Sequence, residues 1–301
     1  MKINEEILNQ IKRIVAEAYV LENEPMKRHT SMEVGGPASV YIRPSNGEET
    51  AEVLKILKKE TIPYYIIGNG SNLIVRDEGF DGAIVELMRL SGIKAEGTKI
   101  TAECGAMLKD IAKCAAENSL TGFEFASGIP GSLGGGITMN AGAYDGEMKD
   151  IVDSVTLLDA EGNVVIKTNQ EMDFSYRHSV CSDEALVVLS AVFRLSEGSK
   201  EEIEAKMEDL SNRRREKQPL EFPSCGSTFK RPEGYFAGKL ITDAGMKGYR
   251  LGGAQVSEKH AGFVINRENA SANDVLDLIA LVQKKVKEQF GVELKCEVKI
   301  I

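Results

Sequence analysis

With 301 residues, 42% apolar and 28% charged, the chain has the composition of an ordinary globular protein of two or three domains, not of a disordered segment or a coiled coil. A net charge of −9 argues against a general nucleic-acid binder, so any anionic ligand must be held by local cations. No apolar run approaches the roughly 18 residues that span a membrane, and the amphipathic start MKINEEILNQIKRIV lacks the apolar centre of a secretory signal, so a cytoplasmic protein is expected.

Ile7, Leu8, Ile11, Ile14 and Val15 recur at helical spacing and predict an amphipathic helix over 3–19, a lid or a strut. Gly35, Gly36 and Pro37 break the chain before a strand at 38–43, and a helix at 48–59 and a strand at 63–67 follow. Residues 68–72 read GNGSN, a tight turn between two apolar strands. Asn and Gly tolerate left-handed φ, and Ser71 and Asn72 offer polar groups to a ligand. A plain hairpin turn is the competing reading. Leu73 stands where a dinucleotide fingerprint would place its third glycine, so the Rossmann motif fails.

Strands at 82–87 and 99–103 lead to a helix over 106–117 with the stripe Leu108, Ile111, Ala112 and Ala115. Then comes GIPGSLGGGITMNAGAY at 128–144, in which six of the first fifteen residues are glycine. Such density marks positive φ or close backbone approach, and a polyanion cradled by backbone N–H groups fits it. A flexible surface loop is the alternative, opposed by Ile129, Pro130, Leu133, Ile137 and Met139, which are poor linker residues. Strands are predicted at 151–158, 163–168 and 186–195, and a charged helix at 201–217 whose Arg213, Arg214 and Arg215 read as a solvated face.

The prolines of QPLEFPS at 218–224 suggest a boundary. Beyond it lie a strand at 226–230, a helix at 235–244, a glycine-rich turn KGYRLGGAQVS and a strand at 262–266. A helix at 272–289 opens on the capping pair Ser271 and Asp274, and the chain closes on the strand ELKCEVKII. In that strand Leu294, Cys296, Val298 and Ile300 alternate inward, which leaves Glu297 on a polar face.

The five cysteines, Cys104, Cys114, Cys181, Cys225 and Cys296, are odd in number and scattered, and read as reduced, packed thiols. His29, His178 and His260 have no metal-ligand spacing, so no metal is expected, and His260 reads as packed and hydrogen-bonded. P-loop, zincin and nucleophile-elbow signatures are absent, which leaves non-metal chemistry with an organic cofactor.

Taken together, GNGSN, GIPGSLGGGITMNAGAY, SYRHS, CGSTFKRP and LKCEVKII, in this order and over essentially the whole chain, resemble the UDP-N-acetylenolpyruvoylglucosamine reductase family. The resemblance implies an α+β protein with an FAD-binding domain of the vanillyl-alcohol-oxidase type and a smaller C-terminal α+β substrate domain. The implied division is an N-terminal helix at 1–25, an FAD domain at 26–218 in two subdomains of about 26–90 and 91–218, and a substrate domain at 219–301. FAD would lie on Gly68, Asn69, Gly70, Ser71 and Asn72 together with Gly128, Pro130, Gly131, Gly134, Gly135, Gly136, Asn140, Ala141 and Gly142. The flavin ring would point towards Arg177 and the strand at 186–190.

The family's catalytic arginine, serine and glutamate fall on Arg177, Ser227 and Glu297. The implied reaction uses NADPH as co-substrate to reduce the enolpyruvyl ether of UDP-N-acetylglucosamine enolpyruvate to UDP-N-acetylmuramate, with hydride from flavin N5 and a proton from Ser227. Arg177 suits a bidentate grip on the substrate carboxylate, and Glu297 would share the stabilisation as a protonated acid or an orienter. Lys230, Lys239 and Arg250 are candidates for the UDP pyrophosphate. No protein, nucleic-acid or membrane partner is implied. Between Arg177 and Lys200 there is no tyrosine, so the chain resembles the branch without the family's tyrosine loop, and the N-terminal helix is the candidate for substrate closure. An FAD oxidase of the same fold and a non-catalytic nucleotide-binding module are the competing readings.

Overall fold

Where a cap reinforces the apolar spacing, helices start where the sequence says. The computed structural model describes residues 3–301. Asn46 Oδ1 accepts from Glu49 N (2.9 Å) and opens the helix Gly47–Lys59. Ser271 and Asp274 form the expected reciprocal box at the start of Ala272–Phe290, and left-handed Gly291 (φ 70°) ends it. The first helix is shorter than its spacing suggests. It runs Glu5–Ile14 and gives way to a 3₁₀ turn at Glu17–Tyr19.

The chain forms two compact units that do not follow its order. The first comprises the residues up to Glu22, Val40–Asn69 and Asp81–Arg213, and the second Asn23–Ser39, Gly70–Phe80 and Arg214–Ile301.

In the first unit an antiparallel sheet runs Val164–Thr168, Val152–Leu158, Val187–Arg194, Lys99–Glu103, Ile93–Glu96 in spatial order. The Ile93–Glu96 strand is not anticipated by the sequence pattern. Along Lys99–Glu103 exposure alternates, so Ile100 and Ala102 face the core with Leu108, Ile111, Ala112 and Ala115 of the helix Leu108–Glu117. Tyr64–Ile67 and Phe80–Glu86 pair in parallel, Tyr64 opposite Ala83 and Ile67 opposite Glu86. Ile7, Leu8, Ile11 and Val15 are buried with Val53 and Leu57. The N-terminal helix is therefore a packed strut, and its burial removes it as a mobile cover.

In the second unit Arg250–Leu251, Ala254–Val256 and Val264–Asn266 form an antiparallel sheet, so the expected turn KGYRLGGAQVS contains a hairpin. Val275, Leu278, Ile279, Val282 and Val286 of the long helix share one core with Met32, Val34 and Ile74 from the two early segments. Lys299–Ile300 lies parallel to Leu73–Ile74, and Arg76 N donates to Ile301 O (2.9 Å). The carboxylate of Asp77 accepts from Ala272 N (2.8 Å) and Asn273 N (2.9 Å), a second cap on the long helix. These bonds place Gly70–Phe80 with residues some 200 positions away, which a single cut at 218–224 does not anticipate.

Two expected strands are mostly irregular. At 226–230 left-handed Gly226 (φ 71°) interrupts the extended run, and only Phe229 bridges to Cys296. The closing strand is confined to Lys299–Ile300, where Ile300 is exposed, and Glu297 is half-buried and not on a solvated face.

Candidate active site

The glycine-rich stretch of the first unit is not an open loop. Residues Leu133–Thr138 make a short helix, and the N–H groups of Leu133 and Gly134 donate to the carbonyls of Ala106 and Cys104 (both 2.8 Å). Those two amides are therefore committed to protein. Ser132, which begins the helix, is buried, and its Oγ has no hydrogen-bond partner among the described residues. Beside it lies Gly68, where a Cβ would fall 2.0 Å from Ser132 Oγ. A buried hydroxyl left unpaired is costly unless a ligand completes it. This hydroxyl next to an obligatory glycine fits a phosphate-bearing cofactor such as FAD. Composition singles out the stretch but not Ser132, whose only signal is a hydroxyl set just ahead of three consecutive glycines. Asn69 Nδ2 donates to Pro130 O (2.7 Å) and ties the two glycine-rich segments together.

The helix ends in a Schellman motif, with Ala141 N donating to Gly136 O (2.8 Å) and Asn140 N to Ile137 O (3.1 Å). Asn140 takes the left-handed position (φ 41°) and is fully buried. Its amide is occupied by protein: Nδ2 donates to Glu147 Oε2 (2.7 Å) and Ser175 O (3.0 Å), and Oδ1 accepts from Lys149 N (2.9 Å). Ser175 and His178 bridge across a tight turn whose tip is Tyr176 and Arg177. Arg177 is left-handed (φ 54°) and half-buried, and its Nη2 donates to Gly142 O (3.2 Å). The arginine and the glycine stretch thus form one cluster.

The loop 68–72 is divided: Gly68 and Asn69 belong to the first unit, and Gly70, Ser71 and Asn72 to the second. Gly70 (φ 61°) admits no side chain, since a Cβ would fall 1.9 Å from His29 O. Asn72 Nδ2 donates to Glu297 O (3.2 Å) and its carbonyl accepts from Lys299 N (2.9 Å).

Ser227 and Glu297 are brought together in the second unit. Glu297 N donates to Thr228 O (2.9 Å) and Lys230 N to Lys295 O (2.8 Å). Thr228 is buried, its N donating to Gly262 O (2.9 Å) and its Oγ1 accepting from Val264 N (3.0 Å). Ser227, one residue earlier, is exposed. An anchored neighbour thus presents a free-standing hydroxyl beside the segment that carries Glu297. Of the cations, Lys239 pairs with Asp243 (2.8 Å) and Arg250 with Glu268 (2.9 Å), both at the surface, while Lys230 is half-buried.

The thiols are inert by environment. Burial pushes Cys104 and Cys225 up to about 12 and Cys181 to about 11, and no cysteine is bonded to another. Burial lowers the His260 imidazole, which packs edge-on to Phe263 (5.0 Å) and accepts from Gly262 N through Nδ1 (3.1 Å). It is a packed residue, as its sequence context suggests. Among the described residues no group of three metal-ligating side chains converges, and no helix is long and apolar enough to cross a membrane.

Residues 38–167 match the FAD binding domain family, and residues 218–301 match the family described as UDP-N-acetylenolpyruvoylglucosamine reductase, C-terminal domain. A curated UDP-N-acetylenolpyruvoylglucosamine reductase of Caldanaerobacter subterraneus subsp. tengcongensis is 55% identical over 295 residues, 98% of each chain. The crystal structure of that reductase from Thermus caldophilus superposes with a TM-score of 0.80 at 32% identity, covering 93% of this chain and 97% of its own. Phl p 4.0202, a glucose dehydrogenase, shares the fold over 64% of this chain and 44% of its own, at a TM-score of 0.51 and 16% identity. The α+β architecture is thus the expected one, an FAD-binding domain of the vanillyl-alcohol-oxidase type with a smaller C-terminal domain. Matched over nearly its whole length, this chain belongs to the UDP-N-acetylenolpyruvoylglucosamine reductase family and is an FAD-containing oxidoreductase.

Proposed function

We propose that the chain uses NADPH to reduce the enolpyruvyl ether of UDP-N-acetylglucosamine enolpyruvate to UDP-N-acetylmuramate, a cytoplasmic step of peptidoglycan precursor synthesis. The observation that carries this reading is the pairing of the Ser227 and Glu297 segments, fixed by Glu297 N donating to Thr228 O at 2.9 Å. Two segments far apart in sequence, one bearing a hydroxyl and the other a carboxyl, are thereby held side by side, as a proton donor and its orienter require.

Gly68, Asn69, Gly70, Ser71 and Asn72, with residues of 128–142 and Ser132, would hold FAD, which when bound and reduced supplies the hydride. The chain's own residues deal with charge and proton. Arg177 grips the substrate carboxylate, on which negative charge accumulates, through the parallel N–H donors of its planar guanidinium. Ser227 Oγ hands its proton to the developing carbanion. Glu297 orients that region and shares the stabilisation of the carboxylate. Asn140, whose amide is committed to protein, serves the cofactor loop by holding its shape. Lys230 takes the UDP pyrophosphate ahead of Lys239 and Arg250, which each carry an acidic partner. The chemistry needs no protein partner.

The absorbance spectrum under anaerobic conditions tests the proposal. NADPH should bleach the flavin, and the enolpyruvyl nucleotide should restore its colour without oxygen. Recolouring only on admission of air would point instead to an oxidase, and a protein that binds no flavin even after reconstitution to a nucleotide-binding module.

A further inference from the structure

We infer that Asn140 is a positioning residue for Arg177, setting where the guanidinium stands relative to the glycine-rich loop. The inference rests on the reading of Arg177 as the carboxylate clamp.

The geometry leaves the Asn140 amide one orientation. Its Nδ2 faces two acceptors, Glu147 Oε2 and Ser175 O, and its Oδ1 faces the donor Lys149 N. Glu147 is held in turn: its carboxylate meets Lys149 Nζ (2.5 Å) and accepts from the backbone of Asp150, whose own carboxylate accepts from Glu147 N (2.9 Å). One buried side chain therefore joins three segments: the end of the glycine-rich helix, the Gly146–Glu147 strand paired with Gly142–Ala143, and the turn that begins at Ser175.

Arg177 lies two residues beyond Ser175, and its guanidinium donates to Gly142 O (3.2 Å), so it is tied at both ends to groups that Asn140 locates. The backbone here needs such bracing. Asn140, Tyr144 and Arg177 all adopt left-handed φ (41°, 58° and 54°), which L side chains disfavour and which persists only where surrounding bonds over-determine it. Nothing about Asn140 as a mere helix terminator explains its two donor bonds, because glycine would end the helix as well.

Asn140→Gly is the test, since glycine keeps the left-handed position and removes only the amide. Affinity for the enolpyruvyl nucleotide, read by calorimetry on oxidised enzyme, and the rate of flavin reoxidation by it should each fall on the order of ten- to a hundredfold. In the FAD-loaded holoenzyme each loss is read against the variant's own rate of flavin reduction by NADPH, which divides out any change in how the loop holds FAD. Affinity for UDP-N-acetylglucosamine, which lacks the carboxylate, should not move.

In an Arg177→Ala background, adding Asn140→Gly should change reoxidation by no more than about twofold. Multiplicative losses in the double variant, or equal losses for both nucleotides, would overturn the inference. Asn140→Asp, which keeps the shape and the acceptor for Lys149 N but loses the donor, must show the same selectivity and covers the case in which the glycine variant does not fold. If Arg177→Ala itself spares reoxidation, the clamp is wrong and the inference goes with it. If Arg177→Ala is severe and the double variant is additive, only the role of Asn140 fails.

Discussion

The turn that carries Arg177 and the segments that carry Ser227 and Glu297 are held by different means. Arg177 sits on left-handed backbone braced by a buried side-chain amide and by its own bond to Gly142 O. Ser227 and Glu297 sit on segments joined main chain to main chain, Glu297 N to Thr228 O and Lys230 N to Lys295 O, with Thr228 as a buried anchor. A group held through backbone bonds can lose its side chain without moving its neighbours. A group held by side chains cannot be altered so cleanly. Substitutions at Ser227 should thus report chemistry alone, whereas substitutions at Arg177 and its supports mix chemistry with position.

The largest effect follows at Ser227. Ser227→Ala should leave flavin reduction by NADPH intact and slow reoxidation by the enolpyruvyl nucleotide about 10² to 10⁴-fold, as stopped-flow absorbance would show. Equal loss in both half-reactions would mean that Ser227 shapes the site and donates no proton. Next comes Arg177→Lys, which keeps the charge and loses the fork. Here reoxidation should fall on the order of a hundredfold, and substrate affinity should weaken with it. An unimpaired lysine variant would remove the bidentate clamp.

Effects on stability are smaller. Asp77→Ala strips one of the two carboxylate caps from the helix Ala272–Phe290 and should lower stability by roughly 1 to 2 kcal/mol, seen as a lower denaturation midpoint. No shift there would show the Asp274 cap to be sufficient alone. Asp274 itself gives the smallest signal. Hydrogen bonds from Gly253 N and Ser271 N hold its carboxyl below the ordinary aspartate value. Because the folded value is the lower one, its contribution is complete above about pH 4 and is lost as pH falls through the folded value. The Asp274→Asn protein should therefore show a flatter loss of stability below about pH 4 in acid titrations followed by circular dichroism.

Local signals carried much of the secondary structure. The Ser271 and Asp274 box and the apolar stripes of Glu5–Ile14 and Leu108–Glu117 need only neighbours within a few positions, so spacing reveals them. The strand expected at 226–230 failed because Gly226 turns the chain and the one bridge, Phe229 to Cys296, depends on a distant segment. Gly70 read correctly as a tight position, yet its reason, the carbonyl of His29, is visible only in three dimensions. Asn140 and Ser132 invert that pattern. Both stand in the stretch that composition singles out, but the partners that occupy the first and the missing partner of the second are properties of the fold.

By itself the sequence determined most of the helices and strands, the need for close backbone approach at 68–72 and 128–142, and, through five motifs in order, the family. Those features depend on periodicity, φ freedom and residue identity, all of which are local. Only the tertiary structure decided that Asn23–Ser39 and Gly70–Phe80 pack with the last third of the chain, that the segments carrying Ser227 and Glu297 are bonded main chain to main chain, and that a buried amide braces the arginine turn. Each of those depends on which distant groups remain to satisfy a buried donor, acceptor or apolar face once the chain has closed on itself.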